Sequence, residues 1–157
     1  MTYEELLIEA DSSGISVKEL PLQSGDGRCK GRRIAIRKDI PTLAKKADVL
    51  AEELGHYHTS VGNILEQSDT ENRKQERIAR LWAYDKMIGL AGIIQGHRAH
   101  CQNRHEFAEC LGVTEEFLQE ALDCYREKYG VCVNIDGYTI FFEPCLAVME
   151  SYWDKRN

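Results

Sequence analysis

The stretch Val49-Leu-Ala-Glu-Glu-Leu-Gly-His-Tyr-His58 contains the pattern that decides which fold we expect. In the pattern H-E-x-x-H, two histidines one helical turn apart bind one metal ion, and the glutamate takes a proton from a metal-bound water. Here Glu52-Glu53-Leu54-Gly55-His56 keeps the glutamate and the second histidine, but the carboxylate of Glu52 stands at the first position. By itself, such a group on a charged helix more often forms a solvated surface than a metal site.

The composition is that of a single-domain globular protein. The chain has 157 residues, of which 43% are hydrophobic and 29% charged, enough to bury a core. No apolar run is long enough to span a membrane, and the acidic N-terminus lacks the basic start of a secretory signal. The six cysteines form no C-x-x-C pair. We therefore expect a cytoplasmic protein with buried, reduced thiols and no membrane partner.

One segment carries most of the positive charge in a chain whose net charge is −6. Between Cys29 and Lys46, seven lysines and arginines stand against Asp39 alone. Such a patch can bind nucleic acid or an acidic partner. Alternating charges of this kind more often mark the solvent face of a strand, which is the interpretation we favour.

Hydrophobic periodicity predicts an α+β chain. Before the pattern we expect a helix over residues 2–10, an extended segment over 15–22 and a strand over 32–38. The pattern itself lies in a helix over 43–58, with Thr42 as its cap and an apolar stripe of Leu43, Ala47, Leu50 and Leu54. Because glycine weakens a helix interior, Gly55 indicates close approach of another segment.

The second half reads as mostly helical, with one hairpin. We expect a loop over residues 60–72, helices over 73–88, 90–95 and 103–129 (broken at Gly112-Val113), a hairpin over 131–142 and a last helix over 146–153. In the first of these helices, Ile78, Ala79, Trp82, Ala83 and Met87 form an apolar face.

A water-activating metal site needs about three protein ligands. Glu52 and His56 supply two, and Glu76, on the next helix, is our preferred third ligand. Glu66, Asp69 and Asp85 are the alternatives.

Two motifs together resemble the ImmA/IrrE metallopeptidase family, in its short phage and mobile-element members. The first is Val49 to Tyr57, where the family has a helix reading H-E-L-G-H. The second is Glu76-Arg-Ile-Ala79-Arg-Leu-Trp82-Ala83, which fits the family pattern E-x-x-A-x-x-[FW]-A. The resemblance implies His56 and Glu76 as zinc ligands and Glu53 as general base, with Glu52 in place of the first histidine. A carboxylate there makes manganese more competitive with zinc.

Two other groups of residues are weaker candidates for a functional site. Phe107 to Leu118 resembles a helix-turn-helix, but its second helix is acidic and would be repelled by a duplex, so we do not expect direct nucleic-acid binding. His97, His100, Cys101 and His105 would form a stripe only on an unbroken helix, and Gln102-Asn103 indicates a helix end there.

We therefore predict a zincin-like core over residues 1–95, with a short sheet, an active-site helix and a second ligand helix. A helical, helix-turn-helix-like extension with a terminal hairpin follows over 96–157. The resemblance implies a zinc-dependent endopeptidase that relieves repression by cleaving a helix-turn-helix repressor. The alternatives are a non-catalytic module that binds such a repressor and, third, a DNA-binding regulator.

Overall fold

The computed structural model describes residues 1–60 and 69–151. In these ranges the helices are α1 (Tyr3–Ser12), α2 (Leu43–Thr59), α3 (Asp69–Met87), α4 (Gly89–Arg98), α5 (Arg104–Leu111) and α6 (Glu115–Tyr129). The strands are β1 (Ser16–Leu20), β2 (Gly27–Lys30), β3 (Arg33–Arg37), β4 (Cys132–Ile135), β5 (Tyr138–Phe141) and β6 (Ala147–Glu150). The α+β class is confirmed.

A three-stranded sheet in the order β1-β3-β2 packs against α2. β1 runs parallel to β3, and β2 runs antiparallel to it. Ile34 and Ile36 of β3 are buried, as the alternation in the sequence predicts. β2 is a strand that the sequence did not predict. It forms the edge of the sheet next to α2, which makes it important for the site.

Helix caps explain where the helices of the first half begin. Thr2 and Glu5 form a capping box at α1, and the Thr42 hydroxyl accepts a hydrogen bond from the Lys45 amide at α2. Three of the four residues of the predicted apolar stripe of α2 are buried, namely Ala47, Leu50 and Leu54. Leu43 is exposed; it is the first residue of α2. In α3, Ile78 is likewise exposed, so the predicted apolar face is narrower than expected.

The second half consists of α4, α5 and α6 and an antiparallel sheet β4-β5-β6. Gly112, in the left-handed conformation, ends α5, and the Thr114 hydroxyl caps α6, which confirms the predicted break. The hairpin β4–β5 is confirmed as well. The chain on either side of residue 95 contributes to one cluster of buried side chains.

Three expectations about local structure were wrong. Residues 147–150 form β6 rather than a helix, because Val148 and its neighbours complete the sheet by pairing with β5; residues 152 and 153 lie outside the described ranges. Residues 69–72 belong to α3 rather than to a loop. The cysteines are free, as expected, but none is fully buried, and Cys132 and Cys145 are exposed.

No helix within residues 1–60 and 69–151 combines the length and the apolar character needed to cross a membrane.

Candidate metal centre

A close crossing of α2 and α3 forms the centre of the site. Gly55 packs directly on the backbone of Ala79, and a Cβ at position 55 would overlap the Ala79 carbonyl oxygen. Only glycine allows this approach, which confirms the role expected for Gly55. The crossing brings two side chains of the candidate site together. His56 Nε2 lies 3.3 Å from Glu76 Oε2.

The Glu76 carboxylate has a second partner on its own helix. Its Oε1 accepts a hydrogen bond of 3.0 Å from Arg80 Nε, one helical turn further on. Glu76 therefore contacts an imidazole with one oxygen and a guanidinium with the other. The two contacts fix the orientation of the carboxylate, with Oε2 directed at α2.

Glu53 lies on the sheet side of α2, against β2. Its side chain fills the space that a Cβ at Gly27 would occupy, since that Cβ would lie 2.7 Å from Glu53 Oε1. The pKa of Glu53 is raised to about 7, chiefly by burial and also by the charges of Glu52 and Glu76, while the nearby Arg28 opposes the shift. A carboxyl group with a pKa near 7 can both accept and return a proton at neutral pH.

Glu52 faces a different charge environment. Burial raises its pKa, while the cations Arg80 and Lys45 lower it. A cleft lined by Glu53 and His56 and a second one lined by Glu76 and Arg80 lie nearby, and Glu52 lines neither. The side chain at the altered first position therefore has Arg80 as its principal counter-charge.

The His56–Glu76 pair fits a metal ion, but a complete set of ligands is not assembled. Two ligands placed tetrahedrally about 2.0–2.1 Å from zinc stand about 3.3 Å apart, which is the separation of His56 Nε2 from Glu76 Oε2. Across the residues that the structure describes, however, no three His, Cys, Asp or Glu side chains are grouped closely enough to hold an ion. The structure thus presents two ligand groups without a third.

Of the three alternative third ligands, the structure describes the side chain of Asp85 alone, and Asp85 does not join this pair. Asp85 lies further along α3, where it pairs with Lys128 at 3.6 Å. Glu66 and the side chain of Asp69 lie outside the described residues. The histidine–cysteine stripe is interrupted, since α4 ends at Arg98 and Asn103 caps α5.

Two residues near the site carried no motif that sequence reasoning could use. Arg80 stands at a variable position of the second motif, and only its contact with Glu76 shows its role. Asp48, one turn before Glu52, is 2% exposed and accepts hydrogen bonds from the amide and hydroxyl of Thr114. The available signal for Asp48 was a lone aspartate within the apolar run from Ala47 to Ala51.

The fold and the helix pair define a class of protein. A small sheet packed on a helix with E-E-x-x-H, and a second helix that places a glutamate beside the histidine, form a zincin-like domain. The model of the family Peptidase_M78, described as the IrrE N-terminal-like domain, matches residues 10–123. This match covers well over half of the 157 residues, and the chain belongs to this family.

The match includes β1 to α5 and most of α6, and it ends before the second sheet. Membership supports a function of the metallopeptidase type. Comparisons with curated proteins and with solved structures gave no match.

Proposed function

We propose that this chain is a metal-dependent endopeptidase whose metal, zinc or another divalent ion such as manganese, is held by His56, Glu76 and Glu52. The observation that carries the proposal is the 3.3 Å separation of His56 Nε2 and Glu76 Oε2 across two helices. This spacing suits two ligands of one ion, although an imidazole and a carboxylate in direct contact have the same spacing, and the family supports a peptidase.

Glu53 is the proposed general base. When bound, the ion supplies Lewis-acid polarisation of the scissile carbonyl. A carboxylate oxygen of Glu53 takes a proton from the attacking water and then delivers it to the leaving amine. Its pKa near 7, which burial causes, suits both transfers. Gly27 leaves the space that the Glu53 carboxyl group occupies.

The proposed substrate is a repressor-type transcription factor in the cytoplasm, of the helix-turn-helix kind and of phage or mobile-element origin. Cleavage would relieve repression. The proposal extends the family resemblance of the two motifs to the partner.

A second candidate is a non-catalytic module that binds the same kind of partner. Arg80 favours it, because its guanidinium already balances part of the charge of Glu52 and Glu76. The missing third ligand among the described residues favours it as well. In such a non-catalytic module, Arg80 supplies part of the positive charge that a metal ion would otherwise place beside Glu52 and Glu76.

Cleavage of a candidate helix-turn-helix repressor separates the two candidate functions. The purified chain, supplied with Zn²⁺ or Mn²⁺, is compared with Glu53→Gln and with Glu116→Gln, an exposed matched control. A peptidase cleaves the repressor as wild type and as Glu116→Gln, and loses cleavage as Glu53→Gln. If Glu53→Gln relieves repression in cells as well as wild type does, hydrolysis is not the mechanism.

A further inference from the structure

A cleft of about 590 Å³ lies between the end of α2 and the edge strand β2. Glu53, His56 and Tyr57 line it from the helix, and Gly27 to Arg32 line it from the strand and the turn after it. The proposed base and one proposed ligand are therefore reached through a cleft whose other wall is the segment of residues 27–32.

The side chains on that wall are positively charged. Arg28, Lys30 and Arg32 are exposed, and among the described residues that line the cleft Glu53 is the only carboxylate. Within residues 1–60 and 69–151, none of these three cations belongs to an ion pair. Arg37, in the same sheet, is paired with Asp26 and Asp39. Among the described residues, the cleft wall thus carries an excess of positive charge, with three cations against the one carboxylate of Glu53.

The spacing of these cations matches an extended peptide. Arg28 and Lys30 are two residues apart on β2, on the face away from α2, since they pair with Ala35 and Arg33 of β3. Side chains on one face of a strand repeat about every 7 Å. This repeat is shorter than the Debye length of about 8 Å at physiological salt, so the repulsion between the two charges is only partly screened. An extended ligand with carboxylates at alternate positions has the same repeat.

We infer that a peptide segment with acidic side chains at alternate positions binds in extended conformation along the edge strand β2 at the mouth of the cleft. Its acidic side chains lie beside Arg28 and Lys30 on the face away from α2, with Arg32 at the end of the strand. The inference rests on the proposed function, because it assigns a substrate class to the same site. It makes the three cations specificity-determining residues, distinct from the groups that bind metal or move protons.

A nucleic-acid ligand fits these observations less well. A duplex is recognised by an element that enters its groove, whereas here the cations lie along an edge strand and its turn, beside a cleft that contains Glu53. The chain as a whole carries a net charge of −6, which repels a long polyanion more than a short acidic segment. Duplex binding is therefore an outcome of the test that would overturn the inference.

Selection of peptides by the full chain tests this inference directly. A random 12-residue library displayed on phage is selected on immobilised Glu53→Gln, which does not hydrolyse the bound peptides. The same background receives either the triple change Arg28→Gln, Lys30→Gln and Arg32→Gln, or a matched control. The control is Lys18→Gln, Lys38→Gln and Lys74→Gln, which removes three exposed cations that do not line the cleft. Circular dichroism checks that both triple variants are folded.

We expect Asp and Glu to be enriched at least threefold at alternate positions with the parent and the control, and not with the cleft variant. The best acidic peptide, labelled with fluorescein, should bind the cleft variant about tenfold more weakly, as expected for three exposed charge pairs. Lack of acidic enrichment, equal loss in the control, or competition by a 20-bp DNA duplex would overturn the inference.

Failure of this inference and failure of the proposed function give different results. A chain that selects acidic peptides but never cleaves a protein refutes the endopeptidase and leaves the cleft assignment intact. A chain that cleaves its repressor with no acidic preference refutes the cleft assignment alone.

Discussion

Replacing Asp48 with asparagine perturbs the contact that ties α6 to α2. Asp48 is 2% exposed, and its Oδ2 accepts hydrogen bonds of 3.1 Å from the Thr114 amide and 2.6 Å from the Thr114 hydroxyl. Its Oδ1 has no hydrogen-bond partner in the part of the chain that the structure describes. Burial raises the pKa of Asp48 to about 7; the Thr114 hydrogen bonds and Lys45 oppose the shift, and Glu52 adds to it.

The raised pKa makes stability fall as pH rises. The ordinary pKa of an aspartate is 3.8. Between that value and about 7, the folded chain keeps the Asp48 proton while the unfolded chain loses it, so the free energy of unfolding decreases with pH. The contribution of Asp48 to the free energy of unfolding is constant below and above this window. At about 1.4 kcal/mol per pH unit, the full window corresponds to a loss of about 4 kcal/mol at most.

Asp48→Asn removes the titration and keeps an oxygen that can accept from Thr114. The amide hydrogens of the new asparagine have no hydrogen-bond acceptor provided by the described part of the wild-type structure. This lowers the free energy of unfolding of the variant by about 1–3 kcal/mol, and the loss does not depend on pH. From about pH 5 to pH 8, the stability of Asp48→Asn relative to wild type should therefore rise by about 3 kcal/mol.

Urea denaturation followed by far-UV circular dichroism at several pH values measures this difference. Asp136→Asn, an exposed change of the same type in the β4–β5 turn, is the control and should show a difference that does not vary with pH. A pH-independent difference between wild type and Asp48→Asn would show that the carboxyl group is ionised in the folded chain, and would refute the reasoning.

Two further changes test the crossing of α2 and α3. Gly55→Ala should destabilise the chain by about 3 kcal/mol in thermal or urea unfolding, because the new methyl group overlaps the Ala79 backbone. The control Gly92→Ala, with neighbours no closer than 3.4 Å, should be neutral or slightly stabilising. Equal effects of the two changes would contradict the close packing of α2 and α3. Arg80→Gln should tighten zinc binding about tenfold in a calorimetric titration, because it removes a positive charge that contacts Glu76. Unchanged binding would show that Arg80 does not oppose the metal, and weaker binding would show that Arg80 supports the site.

The helices of the first half could be predicted because their signals are local. The 3.6-residue apolar stripe and the cap Thr42 define α2, and Gly55 correctly indicated a close helix crossing. The pairing of Glu52-Glu53-Leu54-Gly55-His56 with the motif at Glu76 correctly placed His56 and Glu76 in contact. Two short motifs on neighbouring helices are therefore enough to predict this contact.

The features that sequence reasoning missed depend on tertiary contacts. β2, with the sequence Gly-Arg-Cys-Lys, has no apolar alternation, and pairing with β3 alone makes it a strand. β6 is also short, and its partner β5 decides its conformation. Whether Glu52 completes a metal site depends on its distance to His56 and Glu76 and on Arg80, and a sequence pattern contains neither distances nor counter-charges.

Calorimetric titration of the metal-free chain with Zn²⁺ tests the central claim most directly. We predict one ion per chain for wild type and for the control His58→Ala, whose imidazole stacks on Trp82 at 4.8 Å rather than on the site. His56→Ala and Glu76→Gln should each weaken binding at least a hundredfold, since each removes one of about three ligands. Absence of zinc binding by wild type, or binding that survives both changes, would contradict the proposed metal centre.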